Sequence, residues 1–107
     1  MISILYDRRK YSVTVKGHAK SDEYGRDLVC AAVSALVITL ATNVEHLDKY
    51  GLSNNTVIKL DAGDANIRCA VVEKYKLSVA QIFNTVCVGF EVLSRVYPEY
   101  ITYQVVG

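Results

Sequence analysis

The feature that most restricts the fold of this 107-residue chain is a run of 17 uncharged residues from Leu28 to Val44. The run is slightly shorter than the roughly 20 apolar residues of a membrane-spanning helix, and it contains polar side chains at Ser34, Thr39 and Thr42. We therefore interpret it as a helix in a soluble protein. Because this helix is apolar on nearly all sides near its start, the rest of the fold should cover most of its faces.

The segments on either side of this run alternate between strand and helix patterns. Ile2, Ile4 and Tyr6 alternate with Ser3 and Leu5, and apolar and polar side chains alternate strictly over 11–16, which predicts an antiparallel hairpin. Asp27 is a candidate N-cap for the first helix, and Gly51 is expected to end it. The later predicted elements are a turn at 53–55, strands at 56–60 and 66–73, a helix from Ser78 to Tyr97 that Pro98 ends, and a strand at 100–106.

The resulting order, ββαββαβ, predicts an α+β fold. We expect residues 1–107 to form a single small domain with a largely antiparallel sheet of about five strands and two helices. The chain is too short for a second hydrophobic core.

Charge and cysteine content give no support to several function classes. The formal net charge of +1 gives no argument for nucleic acid or an anionic membrane, so we expect no direct contact with either. No basic segment of the kind that opens a signal peptide follows Met1. The three cysteines have no CxxC spacing, so the simplest expectation is reduced thiols in the cytoplasm.

Residues with chemical potential concentrate between Gly17 and Ser34. Cys30 is the only cysteine predicted near a helix start, where the positive end of the helix dipole favours a thiolate. His18 ends the preceding strand, 12 residues upstream. A strand end often lies beside the start of the next helix, so a catalytic Cys–His pair is feasible. Periodicity leaves a structural interpretation open, with Cys30 as a small core residue and His18 without a role.

The same stretch resembles a known family. Gly17-His18-Ala19, a variable loop, and then Tyr24 to Ser34, with Ser34 four residues after Cys30, is similar to the ribosomal-processing cysteine protease family, Prp. Length and element order also agree, so the resemblance covers essentially the whole chain. It implies a cysteine endopeptidase with Cys30 as nucleophile and His18 as general base and acid, and no metal or organic cofactor. N–H groups of the helix start, including that of Cys30, are candidate oxyanion donors.

The resemblance also implies partners. The family's substrate is the precursor of ribosomal large-subunit protein twenty-seven, whose short N-terminal extension is removed during ribosome maturation. A homodimer and a mobile loop between His18 and Cys30 are further implications. Two other interpretations stay open: a catalytically silent interaction domain of ribosome assembly, and a thiol redox protein, which the lack of a resolving cysteine near Cys30 weakens.

Residues around the pair have candidate supporting roles, each with a structural alternative. Ser34 lies one helical turn beyond Cys30, where it could bind substrate or bond back to the helix. Asp27 could orient His18, although an N-cap role is simpler. Gly17 and Ala19 flank His18.

The polar loop before the helix is the candidate substrate loop, with solvation as its default role. Outside this region, His46 is expected on the surface and the other two cysteines in the core. The loop residues in question are Asp22, Glu23, Tyr24 and Gly25, and the two core cysteines are Cys69 and Cys87.

Overall fold

The structure, a computed structural model, describes residues 1–17 and 26–107. Its elements follow the predicted order ββαββαβ within one small domain, with a single 3₁₀ turn, Glu73–Tyr75, before the second helix. In chain order the elements are β1 (Ile2–Asp7), β2 (Ser12–Lys16), α1 (Arg26–Lys49), β3 (Ser53–Asp61), β4 (Asp64–Val71), α2 (Lys76–Val96) and β5 (Ile101–Val106).

The five strands form one sheet in the order β3-β4-β2-β1-β5. Three of the four neighbouring pairs are antiparallel, as predicted, and β1 and β5 are parallel. The parallel pair arises because α2 carries the chain back across the sheet, so β5 runs beside β1 in the same direction, with Ile2 opposite Ile101.

One apolar layer lies between the sheet and the helices. Ile4 of β1 and Val15 of β2 are register partners and both are buried, whereas Ser3 and Leu5 of β1 are exposed on the other face. This period of two is typical of a sheet with one covered face. The largest fully buried side chains, Phe83 and Phe90 of α2 among them, complete the layer.

The helix ends follow local sequence signals. Gly51 has a φ of 79° after the last turn of α1, and the N–H of Leu52 donates to the carbonyl of Leu47 at 2.9 Å, which closes the helix as predicted. By length and composition alone both helices would pass as membrane spans, a test that the core helix of a soluble protein also passes. Here their buried faces pack against the sheet.

Several local predictions are wrong. The strand predicted at 66–73 is β4, which ends at Val71, and Glu73 begins the 3₁₀ turn. Residues 53–55 belong to β3, where a bulge between Asn54 and Val57 places Asn55 at a φ of 49°. Asparagine tolerates this left-handed conformation, so the same residues that favour a turn also favour a bulge. Arg26, expected in the polar loop, is the first residue of α1.

Candidate active site

A cavity of about 350 Å³ opens at the end of the sheet where β2 stops. Three parts of the chain form its walls: the first turns of α1, the end of β2 and the turn between β3 and β4. Its polar and glycine lining residues are Gly17, Cys30, Ser34, Asp61, Gly63 and Asp64, and side chains such as Val33 and Leu60 make the remainder apolar.

Gly17 joins two of these walls. Its N–H donates to the carbonyl of Gly63 at 3.0 Å, which ties the end of β2 to the β3–β4 turn. Its φ is 105°, and a Cβ at this position would lie 2.1 Å from the carbonyl oxygen of Met1. Only glycine fits both constraints, so the residue immediately before His18 is fixed by the backbone itself.

Cys30 lies just beyond the first turn of α1 and not within it. The sequence predicted an N-cap at Asp27, but α1 begins at Arg26, so Asp27 lies inside the first turn and Cys30 is the fifth helical residue. In a regular helix with this start, the N–H of Cys30 donates to the carbonyl four residues earlier. The free N–H groups of such a helix are those of its first turn, and the contribution of the Cys30 N–H to an oxyanion site stays a prediction.

The three thiols have different surroundings. Cys69 and Cys87 are 5% and 2% exposed, as predicted for core residues. Burial raises the pKa of both, that of Cys87 to about 12, so neither ionises near neutral pH. Cys30 is only half-buried: it packs on the edge of the core and also lines the cavity. Of the three, it is the thiol that a substrate can reach.

The wall formed by the β3–β4 turn is held by ion pairs. Asp64 accepts hydrogen bonds from Lys16 of β2 and, at 2.7 Å, from Lys59 of β3. These bonds lower the pKa of Asp64 to about 2, and the bond to Asp64 raises the pKa of Lys59. Asp64 is therefore anionic at any pH at which a protease would work, and its charge is neutralised locally.

Ser34 is exposed and lines the same cavity as Cys30. Within the described part of the chain its hydroxyl makes no hydrogen bond, whereas Thr39 and Thr42 of the same helix bond back to carbonyls four residues earlier. Of the two interpretations of Ser34, this favours the one in which its hydroxyl is available to a ligand.

The other predicted site residues divide into two groups. His46 is exposed near the end of α1, as expected of a surface group. Several predictions fall outside the described residues, namely those for His18, Ala19, Asp22, Glu23, Tyr24 and Gly25.

The fold and the position of Cys30 can be compared with known proteins. A family model described as cysteine protease Prp matches residues 1–102. This chain belongs to the Prp family. It is accordingly a cysteine protease, and the resemblance found in its sequence is confirmed. Comparison with curated protein sequences gives no match.

Solved structures of similar proteins agree with the family. An essential ribosomal processing protease Prp from S. aureus, in complex with a substrate peptide, is 25% identical with a TM-score of 0.75, over 98% of this chain and 99% of that one. The S. aureus Prp in complex with a covalently linked product peptide is 26% identical with a TM-score of 0.72, over 98% and 99%. SMU.848 from Streptococcus mutans is 26% identical with a TM-score of 0.71, over 98% and 91%.

The sequence did not indicate that the β3–β4 turn forms a wall of this Prp site. Gly63 of this turn lies 33 residues after Cys30 in the chain, and the composition of the turn indicated only a connection between two strands. The link is the backbone hydrogen bond from Gly17, which depends on the antiparallel pairing of β2 with β4. No side-chain pattern encodes that pairing.

Proposed function

We propose that this protease removes the short N-terminal extension of ribosomal large-subunit protein twenty-seven, using Cys30 as nucleophile and His18 as general base and acid. The observation that carries the proposal is the cavity at Cys30: an accessible thiol in the second turn of α1, with Ser34 one turn later and the backbone of Gly17 opposite.

The assignment of His18 rests on its position in the sequence, directly after a residue that lines the cavity. His18 directly follows Gly17, a cavity-lining residue whose conformation is fixed by the Met1 carbonyl and by Gly63. A base for the thiol is also needed, because Cys30 lies beyond the first turn of α1, where the effect of the helix dipole falls off. An imidazole next to the thiol would supply what the helix end does not.

The proposed reaction follows from thiol chemistry. Cys30 Sγ gives its proton to His18 and attacks the scissile carbonyl carbon, and first-turn N–H groups of α1 stabilise the oxyanion. His18 then protonates the leaving amine as the C–N bond breaks, which leaves a thioester on Cys30. Water, deprotonated by His18, hydrolyses the thioester and restores the thiol.

Two features support a peptide as substrate. The S. aureus relative is described with a substrate peptide and with a covalently linked product peptide, and covalent linkage is the expected product of a nucleophilic thiol. In this chain the cavity is mostly apolar, and its one doubly paired acid, Asp64, keeps the wall in place without adding net charge. Such a cavity suits an uncharged, apolar segment of an extended peptide.

We also propose that the enzyme is a cytoplasmic homodimer. Three valines on α2 are about half exposed and lie at intervals of four residues, so they form one apolar stripe on the outer face of that helix. These residues are Val88, Val92 and Val96.

Val92→Glu should shift the sedimentation profile from dimer to monomer, whereas Thr42→Glu, an exposed site on α1, should not. A monomer for the unmodified chain at micromolar concentration would contradict the proposal.

The test of the function is direct cleavage. The purified protein is incubated with the ribosomal protein precursor, and the products are weighed by mass spectrometry. One product should be the extension and the other the mature protein. A matched substrate with the residues at the cleavage junction scrambled should remain intact.

Thiol labelling separates this function from a catalytically silent interaction domain. With substoichiometric iodoacetamide at neutral pH, a protease should be alkylated first at Cys30. The control is a short unfolded peptide that contains Cys30 and its sequence neighbours. If Cys30 in the folded protein is alkylated no faster than the cysteine of this peptide, and the precursor stays uncleaved, the silent domain is supported.

A further inference from the structure

A second concavity lies at the opposite end of β1 and β2 from Cys30. Its volume is about 930 Å³, and it is bounded by the β1–β2 turn, the end of β4 and the start of α2. We refer to it as the basic cleft, defined by its five cationic lining residues. These are Arg8, Arg9, Lys10, Arg68 and Lys76.

The cations of the basic cleft lack ion-pair partners among the residues that the structure describes, and Glu73 is the one acidic side chain in its described lining. The other lysines and arginines whose side chains are described all have partners. Lys16 and Lys59 pair with Asp64, Arg95 pairs with Glu91, and Lys49 and Lys74 lie over the rings of Tyr50 and Tyr75.

The start of α2 adds to the positive potential of the basic cleft. Lys76 is the first residue of this helix, whose first turn contains no acidic side chain. A cation at a helix N-terminus is unfavourable for the helix itself, because it opposes the positive end of the dipole. The 3₁₀ turn directly before the helix carries Glu73, and the N–H of Lys76 already donates to the carbonyl of Glu73. Lys76 therefore adds to the positive potential through its side chain, which lines the basic cleft.

Backbone strain is also concentrated here. In the described chain two non-glycine residues have a positive φ, Tyr11 at 47° and Asn55 at 49°, and both line the basic cleft. The carbonyl of Tyr11 accepts a hydrogen bond from the N–H of Cys69, and its ring meets Phe83 edge-on. Strained residues held in this way cluster at binding sites.

The polar groups of the basic cleft suit bases as well as phosphates. Tyr6, whose pKa burial raises to about 12, donates its hydroxyl proton to Asn84 Oδ1 at 2.8 Å. This bond fixes the Asn84 amide and leaves its N–H donors available. Arginine planes and the Tyr11 ring offer stacking surfaces, and guanidinium groups bind phosphates through two hydrogen bonds.

We propose that the basic cleft binds single-stranded RNA. A single strand can place an unstacked base against the Tyr11 ring while its phosphates meet the cations of the basic cleft, whereas the bases of a duplex are paired and stacked inside the helix. Unpaired cations beside an aromatic ring and amide donors are the combination that binds such strands. The proposal does not rest on the identity of the protease's substrate.

Fluorescence anisotropy with a labelled oligouridine RNA tests this with the full chain. The double variant Arg68→Gln/Lys76→Gln removes two cleft cations, and Lys74→Gln/Arg95→Gln removes two cations outside it. We expect the cleft variant to weaken binding at least roughly tenfold and to reduce the salt slope of log K by about 0.7 for each lost phosphate contact. The control variant should change affinity less than about twofold.

Two measurements locate the RNA and identify its class. In ¹⁵N-HSQC spectra, RNA should shift amide signals of the β1–β2 turn and the start of α2, and leave those of Cys30 and Ser34 in place. A polyglutamate peptide of equal charge should bind more weakly than the RNA. Equal loss of affinity in both double variants, shifts confined to the Cys30 cavity, or equal binding of polyglutamate would each overturn the proposal.

Discussion

The two ends of the central sheet differ in how they use charge and backbone strain. At the Cys30 end the charges are paired, with Asp64 between Lys16 and Lys59, and glycines occupy the left-handed positions. At the other end the cations of the basic cleft are unpaired, and Tyr11 and Asn55 take up left-handed positions.

The difference indicates separate tasks. Paired charges and glycines line a mostly apolar cavity with little net charge, which suits the binding of an apolar peptide segment beside the thiol. Unpaired cations that lie close to one another repel, so they destabilise the free protein slightly and gain most from an anionic ligand. Variants at each end of the sheet test this difference.

The largest effect is expected at the nucleophile. Cys30→Ala should fold normally and reduce cleavage of the extension peptide to the uncatalysed background, because the thioester cannot form. Lys76→Gln, at the opposite end of the molecule, should cleave at the normal rate. Measured cleavage by Cys30→Ala above a trace would remove Cys30 as nucleophile.

His18→Gln should lower kcat by about a hundred- to ten-thousand-fold with KM nearly unchanged, since a positioned acid and base contributes that much. His46→Gln is the matched control: His46 is exposed near the end of α1, and its replacement should leave kcat unaltered. Steady-state kinetics on the extension peptide measures both. A normal kcat for His18→Gln would exclude the dyad.

Gly17→Ala should destabilise the fold by more than the roughly 1–2 kcal/mol of a left-handed non-glycine residue, because its Cβ would also lie 2.1 Å from the Met1 carbonyl oxygen. Gly51→Ala separates the two contributions: its φ is 79°, but no atom lies within 4 Å of the added Cβ. Urea unfolding gives both free energies. If Gly17→Ala and Gly51→Ala lost the same free energy of unfolding, the close contact at Gly17 would be relieved by a movement of β1.

Lys76→Gln should stabilise the free protein by about 0.3–1 kcal/mol, because it removes a cation from the N-terminus of α2. Arg95→Gln, in the last turn of the same helix, should destabilise it slightly, because it removes a cation that favours that end and pairs with Glu91. Thermal unfolding at low salt compares them. If both variants changed the stability in the same direction, Lys76 would not be an unfavourable charge in the free protein.

The smallest effect concerns Asp64. Its pKa is about 2 in the folded protein, against 3.8 for an unperturbed aspartate, so the unfolded chain binds a proton first as the pH falls. The contribution of Asp64 to stability is thus fully present above about pH 4 and is lost as the pH falls toward 2. Asp64→Asn should flatten the stability profile in this window, measured by urea unfolding. An unchanged profile would show that solvent screens the lysine pairs completely.

Much of the fold could be predicted because its signals are local. The hairpin of β1 and β2 follows from the strict alternation in β2 and the charged turn before it, and Gly51 and Pro98 end the helices as expected. The wrong prediction at 53–55 has a physical cause: Asn55 favours a left-handed conformation, and turns and bulges both offer one. The start of α1 was misplaced because Arg26 and Asp27 are both compatible with a first helical turn.

The nucleophile candidate and its family could be read from the sequence alone, because the residues that carry them lie in one continuous stretch, Gly17 to Ser34. The element order could be read as well, because each element has its own local pattern. Only the tertiary structure decided which distant residues join each end of the sheet. The pairing of β2 with β4 brings Gly63 to the Cys30 cavity, and it places Arg68 beside the β1–β2 turn. The net charge of +1 gave no argument for nucleic acid, and the three consecutive cations Arg8, Arg9 and Lys10 are too small a cluster to indicate a site by themselves. Long-range strand pairing and the packing of α2 add Arg68 and Lys76, and neither contact leaves a local pattern in the chain.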